Sequence, residues 1–112
     1  MTEEEFDSGV RPGELAARRS TPLNTPWGSF ALYTLGPRVV AASSFCPHLL
    51  GPLFEGTLAG EEVVCPWHRW RFSLATGACT HRPDGGPTAG VRIRLCPLRV
   101  GERGSFVLRP PR

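Results

Sequence analysis

From Thr25 onward, apolar side chains recur with the alternating period of strands, and no segment carries the three-to-four-residue spacing of an amphipathic helix. Trp27, Phe30 and Leu32 recur in rough alternation along a predicted strand over Thr25 to Thr34, with Tyr33 on the opposite side. The Gly36-Pro37 turn and Val39-Val40-Ala41 complete a hairpin. Glu61 to Val64 reads as a short strand, and Trp70 and Phe72 alternate along the next. Cys79 to Ala89, rich in Pro and Gly, reads as a connection with a turn at Asp84-Gly85. Val91, Ile93 and Leu95 then alternate strictly with Arg92 and Arg94, the pattern of a half-buried strand, and Phe106 to Leu108 returns as the last one. Glu14 to Arg19 either forms a helical turn or leads into a strand. The pattern predicts an all-β, antiparallel domain over residues 9–112, preceded by a loose acidic tail over residues 1–8.

Composition narrows the picture. A chain of 112 residues suffices for one domain with a modest core. No apolar stretch approaches bilayer-spanning length, and the acidic N-terminus lacks the regions of a signal peptide. Arg18-Arg19 is followed by Ser and Pro, unlike a twin-Arg signal. A cytoplasmic protein with no membrane partner is expected. All basic charge is Arg, and a net charge of +3 without a basic run interleaved with aromatics argues against nucleic acid.

The informative chemistry lies between Cys46 and Gly77. Cys46 pairs with His48 in C-P-H, and Cys65 with His68 in C-P-W-H. Thiolates favour iron–sulfur clusters, zinc or cuprous copper, and neutral imidazoles suit iron, zinc or copper. The quartet therefore allows a tetrahedral zinc site or a two-iron cluster in which two His replace two Cys on one iron. Each pair is mixed, and Pro47 and Pro66 fix tight loops, so two loops clamp the metal rather than a finger with two His on a helix. Cys79 and Cys96 remain as buried thiols or, less simply, as a disulfide. Cys79-Thr-His81 repeats the C-x-H spacing, yet His81 lacks the apolar surroundings of the first loop and reads as a surface residue. Leu49, Leu50 and Leu53, with Pro52 and Trp67, are the candidate apolar shell.

C-P-H-x16-C-P-W-H, with Gly51, Leu53, Gly56, Phe72 and Thr76-Gly77, resembles the Rieske iron–sulfur domain over roughly residues 27 to 109. The resemblance implies a [2Fe-2S] cluster with Cys46 and Cys65 on the inner iron and His48 and His68 on the outer one. It implies a smaller cluster-binding subdomain of two ligand loops over about residues 43–75, with the His rings at the surface. Gly85-Gly86-Pro87 takes the place of the family's third, proline-containing loop. Likeness to the ferredoxin branch implies one-electron carriage from a flavoprotein reductase to an oxygenase. These residues leave no room for the mononuclear iron domain of an oxygenase, so an electron-transfer component rather than a catalyst by itself is expected. An accessory subunit of a larger oxidoreductase and a zinc-stabilised binding module are the rival readings.

Members of the cytochrome bc type carry two further Cys, where this chain has Gly51 and Trp67, and Ser and Tyr hydroxyls, where it has Trp70 and Phe72. Fewer donors to the cluster imply a potential near the low end of the Rieske range, roughly −150 mV rather than +300 mV. Arg69 stands where many members have Gly. With Arg71 and Arg82 it forms a candidate basic collar for an acidic docking surface.

Overall fold

The strand β3 (Gly28–Leu35) is buried on both faces, and the rest of the molecule is layered on either side of it. The computed structural model describes residues 4–15 and 20–112. Phe30-Ala31-Leu32-Tyr33 is a continuous apolar run because both sides of the strand meet a core. β3 pairs with β2 (Ser20–Thr25) and with β4 (Arg38–Ser43), and β9 (Leu95–Cys96) adds to β4. The hairpin at Gly36-Pro37 is as expected. Trp27 instead sits in the β2–β3 turn, outside the strand.

On one face, Phe30, Leu32, Ala41 and Cys96 pack against Leu15, Phe106 and Leu108. The last two belong to β11 (Phe106–Leu108), the centre of a sheet flanked by β1 (Phe6–Asp7) and β10 (Leu98–Val100). On the other face, Ala31, Tyr33 and Ala42 pack against Val63, Phe72, Leu74 and Cys79. These line a second four-stranded sheet of β5 (Thr57–Ala59), β6 (Glu62–Val64), β7 (Arg71–Ser73) and β8 (Cys79–His81). Every pairing is antiparallel, and the described residues contain two short 3-10 turns and no α-helix. No helix among them is long and apolar enough to cross a membrane.

Three expectations need correction, and a fourth is covered only in part by the described residues. Within the acidic segment, Phe6 and Asp7 pair with Leu108 and Val107 instead of hanging loose; residues 1–3 lie outside the described residues. The 3-10 turn Pro12–Leu15 begins where a helical turn was one option, and residues 16–19 lie outside the described residues. Cys79–His81 is a strand rather than a connection, so the ligand-side sheet extends past residue 75. Val91 to Arg94 alternates in burial as expected, but it meets the turn before β8 through single bonds, Ile93 N–H to Gly77 O and Cys79 N–H to Val91 O, instead of a regular ladder.

The edge strand β1 is held electrostatically. The Asp7 carboxylate accepts from Ser105 Oγ (2.6 Å) and from the Gly9 N–H (2.9 Å), which hold it below the usual carboxylate range. Arg99 does the same for Glu5. Carboxylates depressed in the fold stabilise it above their unfolded values near pH ~4 and lose that contribution as pH falls through the lowered ones. Amide-exchange protection of Ser8, whose N–H bonds Phe106 O, is therefore expected to fall between pH 5 and pH 3 relative to β3 amides. An unchanged ratio would contradict this anchoring.

Candidate metal centre

Two tight loops at one end of the β5–β8 sheet carry the four candidate ligands. The first leaves β4 and closes on itself through a Phe45–Pro52 bridge and the Cys46 N–H to Gly51 O bond (2.8 Å). The second joins β6 to β7; Cys65 N–H donates to Trp70 O (2.8 Å) and Arg69 N–H to Cys65 O (2.9 Å). The 3-10 turn Leu53–Glu55 then leads into β5 through Gly56. Only Gly fits there, because a Cβ would stand 2.1 Å from Val64 O.

The two loops face each other. Cys46 and Cys65 are fully buried and interact directly, and burial pushes the Cys46 thiol up to about 12. His48 N–H lies 3.4 Å from Cys46 Sγ. The His48 and His68 rings meet edge to face with centroids 4.4 Å apart. His68 is exposed and His48 half-buried, close to the surface placement expected for both. His48 Nδ1 is buried and has no hydrogen-bond partner among the described residues. Among those residues, no three His, Cys, Asp or Glu side chains converge on one ion position. The site offers a buried thiol pair beside an imidazole pair.

This donor set fits a two-iron cluster. An orphaned buried imidazole nitrogen costs free energy unless something accepts its lone pair, and the Cys46 thiol, pushed up by burial, becomes a charged donor only when a metal compensates it.

A comparison with known sequences decides the family. The profile of the Rieske [2Fe-2S] domain matches residues 10–95. This chain belongs to the Rieske [2Fe-2S] domain family. Its cofactor class is accordingly the Rieske [2Fe-2S] cluster. The chain is 36% identical over 88 residues to ferredoxin CarAc of Metapseudomonas resinovorans, covering 79% of this chain and 78% of that one. It is 34% identical to the oxygenase component of dicamba O-demethylase from Stenotrophomonas maltophilia over 78% of its own length, but spans only 25% of that protein. The solved ferredoxin of carbazole 1,9a-dioxygenase from Nocardioides aromaticivorans IC177 superimposes with a TM-score of 0.76 at 24% identity, covering 96% of this chain and 98% of that one. The all-β Rieske fold expected from the motifs is thus the fold observed.

Within this Rieske domain several expectations change. Leu53 is buried in the core, but Leu49 and Leu50 are 68% and 69% exposed, both with φ of 57°. Left-handed backbone turns their side chains outward, so they do not shield the site. Trp67 is 57% exposed, yet its ring atom Cδ2 lies 3.3 Å from where a Gly51 Cβ would be. Gly51 and Trp67, the staple positions of the bc type, are therefore adjacent, and the indole fills that space. Cys79 and Cys96 are free buried thiols in different cores, which excludes a disulfide between them. His81 is exposed at the end of β8, where it pairs with Arg71. The basic collar is largely neutralised: Arg71 pairs with Glu62 (2.9 Å) and Arg82 with Asp84 (2.7 Å).

Arg69 adopts φ of 62° and is exposed. Left-handed backbone costs an L residue about 1–2 kcal/mol, part of which Gly gives back through its freer unfolded chain. Arg69→Gly is expected to stabilise the fold by roughly 0.5–1 kcal/mol, read as a higher urea midpoint. A lower midpoint would mean that the Arg69 side chain contributes more than its backbone costs.

Proposed function

We propose that Cys46 and Cys65 hold one iron of the cluster, that His48 and His68 hold the other, and that the chain is a one-electron carrier. The observation that carries this is the orphaned His48 Nδ1 beside the His68 ring, over two mutually packed buried thiols. Bound there, a [2Fe-2S] cluster supplies reversible one-electron storage. The chain's own contribution is to bury the thiols and to keep the imidazoles at the rim, where an electron enters or leaves. The Cys65 loop is braced by its own backbone bonds.

Likeness to ferredoxin CarAc supports electron carriage, and we infer a flavoprotein reductase as donor, an oxygenase as acceptor and the cytoplasm as location. The match to part of an oxygenase component supports a second reading, a Rieske unit held within a larger oxidoreductase. Size-exclusion chromatography of the native complex separates the two, since only the second predicts stable co-elution with a larger chain. The carrier reading is tested by anaerobic dithionite titration with reoxidation in air. One electron per chain over repeated cycles is expected. A stoichiometric zinc protein that takes up no electron would overturn the reading.

A further inference from the structure

Beyond the ligand loops, one cluster of side chains reaches the His48 ring from a different part of the chain. His48 stacks on Trp70 at 4.3 Å with the rings 3° from parallel. The Arg82 guanidinium carbon in turn lies 4.1 Å from the Trp70 ring centroid. Arg82 is held on every side. Its Nε and Nη2 donate to the two Asp84 oxygens at 3.0 and 2.7 Å, and its Nη1 donates to Pro87 O at 2.8 Å. The Gly86 N–H completes the ring by donating to Asp84 at 2.9 Å. A Cβ at Gly86 would stand 2.4 Å from the guanidinium, so a larger residue there would displace Arg82. Only 17% of the Arg82 side chain is exposed, which sets it apart from an ordinary surface ion pair.

We propose that Arg82 and Asp84 form a charge-compensated latch that positions His48 through Trp70 and tunes the stability of the reduced centre. The proposal rests on the ligand assignment under the proposed function. The planar, permanently charged guanidinium is what the site uses, since Lys lacks the flat fork that stacks on indole while bonding a carboxylate twice. Two stacking spacings separate it from the imidazole, about the ~8 Å Debye length at physiological salt, and partial burial weakens screening further. A reduced cluster carries one more negative charge. Positive charge at this distance favours reduction, and Asp84 offsets that effect. The strong pull of Arg82 on the Asp84 carboxyl, held down to about 2, agrees with the close pairing.

The latch makes a prediction of sign that mere loop support does not. Arg82→Gln leaves Asp84 uncompensated and is expected to lower the midpoint potential. Asp84→Asn leaves Arg82 uncompensated and is expected to raise it. Both variants break the same ion pair, so simple loosening of the loop would shift them in the same direction. The double variant should return toward the wild-type value, and Arg82→Lys should stay nearer wild type than Arg82→Gln. The experiment is a redox titration of the cluster-loaded variants beside electron paramagnetic resonance of each reduced protein. Opposite shifts with the mixed-ligand signal retained support the latch. Shifts in one direction, or none, with that signal retained overturn the latch and leave the carrier intact. A wild-type protein without that signal overturns the ligand assignment, and the latch with it.

Discussion

Cys65→Ser is expected to abolish the cluster, leaving a protein without bound iron, labile sulfide or visible absorption. Cys65 is fully buried, and its backbone is locked to Trp70 and Arg69, so a Ser oxygen would occupy nearly the same place as the sulfur. The change is therefore one of donor chemistry more than of position. A hydroxyl is a harder and far less acidic donor than a thiol, and it does not replace a soft thiolate on iron. Buried without a partner, it also costs about 1–3 kcal/mol. His48→Ala should have the same spectroscopic outcome by removing the orphaned Nδ1 and the stack on Trp70. His81→Ala and Cys96→Ser are the controls, expected to keep full iron content, because His81 is exposed at the end of β8 and Cys96 packs in the other core. Iron and sulfide analysis reads all of them. Full iron in Cys65→Ser, or its loss in His81→Ala, would contradict the ligand assignment.

The second large effect is the potential itself. At neutral pH it is expected near the bottom of the Rieske range, roughly −150 mV rather than +300 mV. Hydrogen bonds to the sulfurs stabilise the more negative reduced state, and this chain supplies few. Phe72 is fully buried and has nothing to donate. Trp70 offers one N–H and spends its ring on His48. Tyr33 is a buried hydroxyl within this core, and its O–H donates to Ser43 O at 2.8 Å. Burial and the neighbouring Cys65 push that phenol upward, so it stays protonated. The Arg82–Asp84 pair nearly cancels its own charge, so it does not rescue the potential in the wild type. A redox titration placing the midpoint well above zero would contradict this reading.

The candidate ligands were legible in the sequence because their chemistry is local: a Cys, a Pro and a His within a few residues mark a metal-loop motif. The β3–β4 hairpin, β6, β7 and β11 were legible for the same reason, since each carries its own alternation or turn. β8 was not, because Cys-Thr-His is too short and too polar to show a period, and its place comes from pairing with β7. Leu49 and Leu50 were misread because apolar identity suggests burial, and nothing in the sequence signals two consecutive left-handed residues. Arg82 was visible as a charge near the site. Its stacking on Trp70 depends on how the third loop returns, which no local pattern encodes.

The most direct test of the account is low-temperature electron paramagnetic resonance of the dithionite-reduced protein, with metal content measured on the same sample. The account predicts two irons per chain and the anisotropic signal of a [2Fe-2S] cluster with mixed Cys and His ligands. A silent spectrum with stoichiometric zinc, or the signal of an all-Cys cluster, would contradict it.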